Sequence, residues 1–347
     1  MSAQVPIIDF SRFIGGDAGA RLDVAKEIAD AFRTYGFVHL TNHPIPPSSI
    51  SMAFRQSKLF FDLPVSSKSK APHPPGFKVH RGYSHIGLEK ISNLTASTNG
   101  FTNGTTNGTD DAKKAVAHQI PDLKESYDIG SEHNVEQPNV WPPPNLLPGY
   151  RGFMTGFYWT LAEFAREILR ALALGIGLEE EHLFKFYEGE HNQLRLLHYP
   201  EVEARILEEG CATRISAHCD WSAFTMLFQD DCGGLEVESP TTPGKFITVE
   251  PIEHACLVNI GDLMARWSND FLKSTSHRVG LPPLLQNRCA GDKRTTRSRY
   301  SIAYFVTTPP DAIIECLPSC IDEAHPAKYA PITQREYNLA KASLSYL

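Results

Sequence analysis

The sequence predicts a mainly β protein, a sandwich or barrel in the C-terminal half, with flanking helices supplied by the N-terminal half. Two observations predict this class. Short apolar or alternating runs recur after Gln193, and turns rich in glycine and proline separate them. Before that point, apolar residues repeat at steps of three and four, which is the spacing of amphipathic helices. Seven or more closely spaced strands favour an all-β sandwich or barrel.

The N-terminal half begins with a short alternating strand at 5–10 and continues with a helix over 20–34. One face of that helix carries Leu22, Ala25, Ala29 and Phe32. Gly36 ends the helix before a second strand at 37–40. Residues 46–62 predict a second helix, which starts on a proline pair and stops before Pro64.

The middle of the chain changes character twice. Residues 92–118 form a tract of Thr, Asn and Gly that cannot bury a core, so we predict a flexible surface loop. The longest helical pattern follows a proline cluster at 142–148 and ends at Gly175. Its apolar stripe comprises Phe153, Phe157, Leu161, Phe164, Ile168 and Leu172. A final short helix is predicted at 333–345.

The C-terminal half supplies the strands. They are predicted at 193–199, 224–228, 235–238, 245–249, 256–260, 276–279 and 299–306. Turn signals such as Cys232-Gly233-Gly234 and Pro243-Gly244 separate them. We expect Gly261-Asp262 to form a tight turn, which accounts for Asp262 without a metal.

Composition restricts the classes of function. Hydrophobic residues make up 41% and charged residues 21%, as in an ordinary soluble globular protein. The net charge of −7 argues against nucleic acid or an anionic membrane as the main partner. The N-terminus lacks a basic region followed by an apolar stretch, so we expect a cytoplasmic protein. The seven cysteines are scattered and odd in number, and we expect them to be reduced thiols.

A metal site is predicted from three residues. His218-Cys219-Asp220 places an imidazole and a carboxylate two positions apart, and on a strand both would point to the same face. His277 lies on a later predicted strand and supplies a third ligand. Two histidines and one carboxylate leave open positions on an octahedral ion, as oxygen-activating Fe(II) requires. Other candidate ligands are His39, His198 and His254, but a neighbouring proline, charge or apolar run accounts for each.

A second pair suits a carboxylate. Arg299 and Ser301 again stand two positions apart on a predicted strand, so a guanidinium fork and a hydroxyl would share one face. This arrangement suits the far carboxylate of a dicarboxylate, and Tyr199 could add a third hydrogen bond. Arg294 and Arg297 precede the strand, and we expect them to be solvated loop charges.

These motifs resemble the 2-oxoglutarate- and iron-dependent dioxygenase superfamily, in the branch that contains isopenicillin N synthase. The resemblance is carried by His218-x-Asp220, His277, Arg299-x-Ser301, Val5 to Phe10 and Gly36-Phe37-Val38. Further stretches are similar to thymine dioxygenase and its fungal secondary-metabolism relatives. They are Arg81-Gly82-Tyr83, Lys124 to Tyr127, Leu194 to Pro200, Ala265 to Asp270 and Arg299 to Phe305.

The resemblance implies a distorted double-stranded β-helix, or jelly roll, as the core. It implies Fe(II) held by His218, Asp220 and His277, with 2-oxoglutarate held by Arg299, Ser301 and Tyr199. O2 would be consumed, succinate and CO2 released, and ascorbate would stimulate turnover. It divides the chain into an N-terminal dioxygenase region (1–125), a linker and long helix (126–190), the jelly-roll core (191–310) and a C-terminal helical segment (311–347).

The substrate is predicted less directly. Arg195, Trp221 and Phe305 match substrate-contacting positions of thymine dioxygenase. The two aromatic residues could sandwich a flat ring, while Arg195 donates to a carbonyl or phenolate oxygen. The alternative is that Phe305 belongs to the core and Arg195 pairs with a carboxylate. The segment 281–298 could cover the active-site mouth or be a surface insertion, and 92–118 could order over a substrate.

The expected reaction is oxidation of a C–H bond, such as that of a methyl group, in a small flat aromatic or heterocyclic secondary metabolite. The same iron chemistry could instead give desaturation, cyclisation or ring expansion. From a different class, the chain could be a non-catalytic jelly-roll binding protein or a zinc protein. The sequence leaves both a monomer and a homodimer open.

Overall fold

The computed structural model describes residues 4–76, 79–89, 122–282 and 294–345. The predicted loop 92–118 lies outside the described residues, as does most of the segment 281–298. The helices are α1 (Ser11–Ile14), α2 (Ala18–Thr34), α3 (Pro47–Phe61), α4 (Val65–Lys68), α5 (Tyr150–Gly175), α6 (Ala204–Glu208), α7 (Asp262–Trp267) and α8 (Gln334–Ser345). Short 3-10 turns occupy His182–Phe186 and Pro318–Cys320.

Fourteen strands accompany these helices in the described ranges. In chain order they are β1 (Ile7–Asp9), β2 (Phe37–Thr41), β3 (Gly82–Ser84), β4 (Glu125–Ile129), β5 (Gln193–Tyr199), β6 (Ile215–His218), β7 (Phe224–Gln229), β8 (Leu235–Glu238), β9 (Phe246–Thr248), β10 (Cys256–Ile260), β11 (His277–Val279), β12 (Arg299–Val306), β13 (Ile313–Ile314) and β14 (Ile332–Thr333). All seven strands predicted after Gln193 are present.

Two sheets form the core. The larger has the order β1-β2-β10-β7-β12-β5-β4-β3, and the smaller has the order β6-β11-β8-β9. Except for the parallel pair β1 and β2, neighbouring strands of both sheets are antiparallel. One buried cluster joins them: Leu197, Leu257 and Ala303 of the larger sheet with Ile215, Val237 and Val279 of the smaller. This is the predicted jelly roll, in which side chains on the facing surfaces fill or line the interior.

Helices cover the outer face of the larger sheet. A second buried cluster lies between these helices and the larger sheet. The predicted stripe of α5 belongs to it: Phe157, Leu161, Phe164, Ile168 and Leu172 are buried, and Phe153 is partly buried. Helix α2 packs against α5 through Ala25, Ile28 and Phe32. Leu22 lies at the edge of the predicted face and is 37% exposed. No helix in the described ranges is long and apolar enough to cross a membrane.

Two strands of the core, β3 and β4, escaped prediction, and β6 was indicated only by the spacing of His218 and Asp220. Strand β4 is buried along its whole length although its sequence, Glu-Ser-Tyr-Asp-Ile, is mostly polar. Its acidic side chains can be buried because each pairs with a cationic side chain inside the protein. Polar residues therefore occupy buried positions, and the sequence lacks the alternation of polar and apolar residues that marks a half-buried strand. Strand β3 is short, and β6 carries mixed polarity because it lines the site.

Acid should destabilise the protein through His39, which is 4% exposed on β2. Burial lowers the pKa of His39 from 6.5 to about 4. His39 is therefore protonated below pH 6.5 in the unfolded chain, but only below about pH 4 in the folded chain. Stability that is complete above pH 6.5 should fall by about 3 kcal/mol as the pH drops through this window.

Denaturant unfolding at pH 7.5 and pH 4.5 measures this loss. We expect His39→Gln to flatten the dependence of the unfolding free energy on pH, whereas His85→Gln, at an exposed histidine, should leave it as in the wild type. An unchanged pH dependence in His39→Gln would show that other groups govern the acid response.

Candidate active site

The two predicted histidine ligands meet on the smaller sheet. His218 ends β6, His277 begins β11, and the two residues are direct partners in the antiparallel register. Their rings lie 4.3 Å apart between centroids. The expectation that Asp220 shares the strand was wrong, because β6 ends at His218 and Asp220 follows in the next turn. The turn nevertheless returns the carboxylate to the histidines, with Asp220 Oδ1 3.7 Å from His218 Nε2 and 3.8 Å from His277 Nε2.

Each of these three side chains directs one ligand atom toward the other two side chains, and its second polar atom takes part in a hydrogen bond. His218 Nδ1 lies 2.9 Å from the Ser216 carbonyl, and His277 Nδ1 lies 3.2 Å from the Thr275 carbonyl. Those carbonyls fix the tautomer with the proton on Nδ1, which leaves Nε2 as the free lone pair. Asp220 Oδ2 is likewise occupied, so Oδ1 is the free oxygen.

The charge states also suit a cation. Burial, together with His277, lowers the pKa of His218 to about 4, so this imidazole is neutral at neutral pH. Burial opposes ionisation of Asp220, but His277, His218 and two side-chain hydrogen bonds hold its pKa below the ordinary value. The site therefore presents two imidazole Nε2 atoms and one carboxylate oxygen, with all ligand atoms within 4.8 Å of one another.

The chemistry of this donor set fits Fe(II). Two imidazoles and one carboxylate are the ligands that non-haem iron uses when three coordination positions stay open. Cys219 does not join them: its thiol lies 4.0 Å from the Ser274 carbonyl, and burial raises its pKa to about 12. The structure thus brings together the three residues predicted as ligands, whereas His39, His198 and His254 lie outside this cluster.

Asp220 is positioned by two side chains that sequence reasoning missed. Thr225 Oγ1 donates to Asp220 Oδ2 at 2.6 Å, and Asn259 Nδ2 donates to the same oxygen at 2.8 Å. They lie opposite each other on the paired strands β7 and β10. Their inward direction follows from strand alternation, but the pairing that brings them to Asp220 has no signal in the sequence.

The Gly261-Asp262 motif supports the same turn from the other side. We expected these two residues to form only a tight turn. In the structure Gly261 is the N-cap of helix α7, and Asp262 is its first residue. The Asp262 amide donates to the Asp220 carbonyl at 2.7 Å, and the Gly261 amide donates to the Ala223 carbonyl at 2.9 Å. A Cβ at Gly261 would stand 2.1 Å from the Ser222 carbonyl oxygen, so only glycine permits this approach.

Removing the Thr225 hydroxyl should weaken metal binding. We expect Thr225→Val to lower the affinity for Fe(II) about 10- to 100-fold, because Asp220 Oδ2 loses its shortest hydrogen bond and Oδ1 is no longer held toward the histidines. Thr225→Ser keeps the hydroxyl and should bind nearly as the wild type does. Anaerobic metal titration of the three proteins measures the effect, and equal affinities would refute this role.

The predicted carboxylate site lies on the larger sheet, facing inward. Arg299 and Ser301 share one face of β12, with Arg299 Nη1 donating to Ser301 Oγ at 3.1 Å. Arg299 Nη2 donates to Gln229 Oε1 at 2.8 Å, and Arg299 Nε is buried without a partner among the described residues. Tyr199 is the register partner of Arg299, and its ring centroid lies 4.9 Å from the guanidinium carbon. A buried cation with neutral partners and an unused donor fits a bound carboxylate.

Arg195 sits in a charged network on the same face of β5 as Tyr199. Its Nε and Nη2 donate to Asp128, and its Nη1 and Nη2 donate to Glu89, at 2.7 to 3.1 Å. Glu89 also accepts from Lys124. Burial opposes ionisation of Glu89, but Arg195 and Lys124 hold its pKa far below the ordinary value. Four of the five Arg195 N–H groups are thus engaged with carboxylates, which leaves one on Nη1.

A second group of metal-type side chains borders this network: His73, His80 and Glu89. We assign no metal to it. Both Glu89 oxygens already accept hydrogen bonds from Arg195, and two cations beside the carboxylate would repel a metal ion.

The two aromatic residues predicted to contact the substrate, Trp221 and Phe305, are backbone neighbours of the metal-site residues. Trp221 directly follows Asp220, and Phe305 is the register partner of Thr225, whose hydroxyl holds Asp220. Both side chains are partly exposed, and Phe305 packs at the border of the cluster that joins the two sheets. Trp221 is therefore a sequence neighbour, and Phe305 a register neighbour, of residues that form or hold the metal site.

Family models and curated relatives match this chain. A model of the 2OG-Fe(II) oxygenase superfamily matches residues 190–308, and one described as non-haem dioxygenase in morphine synthesis N-terminal matches residues 5–144. The 2-oxoglutarate-Fe(II) type oxidoreductase ppzD of Metarhizium rileyi is 36% identical, with 99% of this chain and 92% of the relative covered. The proline hydroxylase buaE of Petromyces alliaceus is also 36% identical, with 99% and 100% covered.

Solved structures of 2-oxoglutarate oxygenases are also similar to this chain. Full-length thymine-7-hydroxylase of Neurospora crassa, in complex with alpha-KG and thymine, superposes with a TM-score of 0.81 at 37% identity, covering 99% of this chain and 96% of that one. A 2OG-Fe(II) oxygenase family protein of Caulobacter crescentus gives a TM-score of 0.76 at 26% identity, with 99% of each chain covered.

Proposed function

This chain belongs to the 2-oxoglutarate–Fe(II) oxygenase superfamily and is a 2-oxoglutarate-dependent dioxygenase, and on that premise we propose that it hydroxylates a C–H bond of a small, flat aromatic or heterocyclic secondary metabolite. A methyl group is the favoured position. The observation that carries the proposal is the position of Trp221 and Phe305. Both are partly exposed aromatic side chains, one adjacent in sequence to Asp220 and the other paired with Thr225.

The residues divide the work as follows. His218, Asp220 and His277 would hold Fe(II), which supplies the redox chemistry that activates O2 as 2-oxoglutarate loses CO2 and becomes succinate. Arg299, Ser301 and Tyr199 would hold the far carboxylate of 2-oxoglutarate and so fix the orientation of the co-substrate. The balance is one O2, one 2-oxoglutarate and one substrate C–H giving one C–OH, one succinate and one CO2.

Substrate selection falls to Trp221, Phe305 and Arg195. A flat ring between two aromatic faces gains offset stacking and apolar burial, which is worth about 0.5–1.5 kcal/mol per ring pair beyond area. The single remaining Nη1 N–H of Arg195 would donate to one carbonyl or phenolate oxygen of the substrate. The paired charges of Arg195, Lys124, Glu89 and Asp128 sum to zero, which favours a neutral substrate over an ionic one.

The fungal relatives support secondary metabolism as the setting. The 2-oxoglutarate-dependent dioxygenase imqE of Aspergillus flavus is 35% identical, with 99% of this chain and 95% of the relative covered. The thymine complex supports a planar heterocycle.

The test is a screen of neutral aromatic and heterocyclic metabolites with purified protein, Fe(II), ascorbate, 2-oxoglutarate and O2. Succinate that appears only with a flat-ring substrate, with a product heavier by one oxygen atom, is the expected result. Succinate with none of the candidates would overturn the proposal. A product lighter by two hydrogen atoms would assign the same iron chemistry to desaturation or cyclisation instead.

A further inference from the structure

Arg214 is a buried cation that neither the metal site nor the substrate site accounts for. It directly precedes β6, four residues before His218, and is 0% exposed. Its Nη2 donates to the Arg297 carbonyl at 2.6 Å, and its Nη1 lies 3.6 Å from Cys232 Sγ. Its Nε is buried without a hydrogen-bond partner. Among the described residues, no carboxylate forms an ion pair with it.

Acidic side chains around this segment have other partners. Asp122 accepts from Thr213 Oγ1 at 3.0 Å and from the Ser216 amide at 3.3 Å. Asp230 accepts from the amides of Tyr300 and Cys232, one on each carboxylate oxygen. Asp231 pairs with the exposed side chain of Arg297. Arg214 therefore has only neutral partners, and an uncompensated buried charge costs several kcal/mol.

Arg214 shares this condition with Arg299. The guanidinium carbon of Arg214 lies 5.9 Å from the centroid of the Tyr199 ring, and that of Arg299 lies 4.9 Å from the same centroid. Each guanidinium keeps a buried Nε without a partner. Two buried guanidinium groups thus lie around one tyrosine, and neither forms an ion pair with a carboxylate of the described residues. An anionic ligand would satisfy both.

From this geometry we infer that Arg214 is a positioning residue for 2-oxoglutarate. It acts on the far carboxylate through its charge and through the Tyr199 ring that it helps to hold. Its bond to the Arg297 carbonyl also ties the strand that carries His218 to the start of the strand that carries Arg299. The inference rests on the use of 2-oxoglutarate as co-substrate, and it adds a second guanidinium to the predicted set of Arg299, Ser301 and Tyr199.

The test compares two ligands that differ only in the far carboxylate. The Fe(II) protein is titrated without O2 with 2-oxoglutarate and with 2-oxopentanoate, which keeps the keto acid but ends in a methyl group. Arg214→Gln removes the charge and keeps an amide that can donate to the Arg297 carbonyl. We expect it to weaken 2-oxoglutarate about 10- to 100-fold and 2-oxopentanoate less than about twofold. Arg214→Lys restores the charge without the fork and should recover part of the loss.

Arg297→Ala is the matched control. It removes a guanidinium close by, on an exposed side chain, while the backbone carbonyl that binds Arg214 remains. This variant should bind both ligands as the wild type does.

Several results would overturn the inference. They are equal weakening of both ligands in Arg214→Gln, unchanged binding of both, a loss in Arg297→Ala as large as in Arg214→Gln, or loss of the folded state in both Arg214 variants, which would make the residue structural. A wild type that binds no 2-oxoglutarate would instead refute the co-substrate itself, so the two failures are distinguishable.

Discussion

Replacing Asp220 by alanine is expected to abolish turnover, with a loss of more than about a thousandfold in kcat. The carboxylate supplies the only anionic ligand of the cluster, and its Oδ1 stands 3.7 and 3.8 Å from the two Nε2 atoms. Without it, the two imidazoles would hold Fe(II) weakly and without a fixed set of open positions. Succinate formation and anaerobic metal titration measure the two consequences, and both should be lost together.

Cys219→Ser is the matched control for Asp220→Ala. Cys219 lies between two ligands in the sequence, yet its thiol is directed to the Ser274 carbonyl and away from the ligand atoms. This variant should retain the metal and most of the activity. If Asp220→Ala kept tight metal binding, or if Cys219→Ser lost it, the ligand assignment would be wrong.

Replacing Arg299 by leucine should chiefly raise the 2-oxoglutarate requirement. The guanidinium is 1% exposed, and a charge-assisted, two-pronged bond to a carboxylate in such a place is worth about 2–4 kcal/mol. We therefore expect KM for 2-oxoglutarate to rise about 30- to 1,000-fold, while metal affinity stays within a few fold of the wild type. Steady-state kinetics at varied 2-oxoglutarate, beside metal titration, separates this outcome from general damage.

Tyr300→Phe is the matched control for Arg299→Leu, because it changes the next residue of the same strand, β12. The Tyr300 ring lies on the opposite face of the strand, stacked on His198 at 4.6 Å between centroids. Its loss of one hydroxyl should leave KM for 2-oxoglutarate nearly unchanged. Equal and small effects in Asp220→Ala and Arg299→Leu would contradict the division of roles between metal and co-substrate.

Much of the fold was accessible from the sequence because its signals are local. Strand β12 and helix α5 were both predicted near their observed bounds. The alternation of a strand and the repeat of apolar residues every three or four positions in a helix can both be read from neighbouring residues. Strand β4 was missed because its polar side chains are neutralised by residues far away in the chain, such as Lys68 and Arg195. Helix α7 was missed because its six residues are too short to show a period.

The sequence alone identified the chemical types: two histidines and an aspartate in metal-ligand order, followed by an arginine and a serine two positions apart. Residue type and spacing were sufficient to predict these groups. Strand alternation holds for Arg299 and Ser301, which share β12, whereas Asp220 follows the end of β6.

Only the tertiary structure decided how these groups are held. The pairing of β6 with β11 sets His218 beside His277, and the turn after β6 brings Asp220 to them against Thr225 and Asn259. It also shows Arg195 engaged by two carboxylates and Arg214 buried without one. The physical reason is the same in each case: strand pairing and compensation of buried charge depend on residues distant in the chain, which no local pattern records.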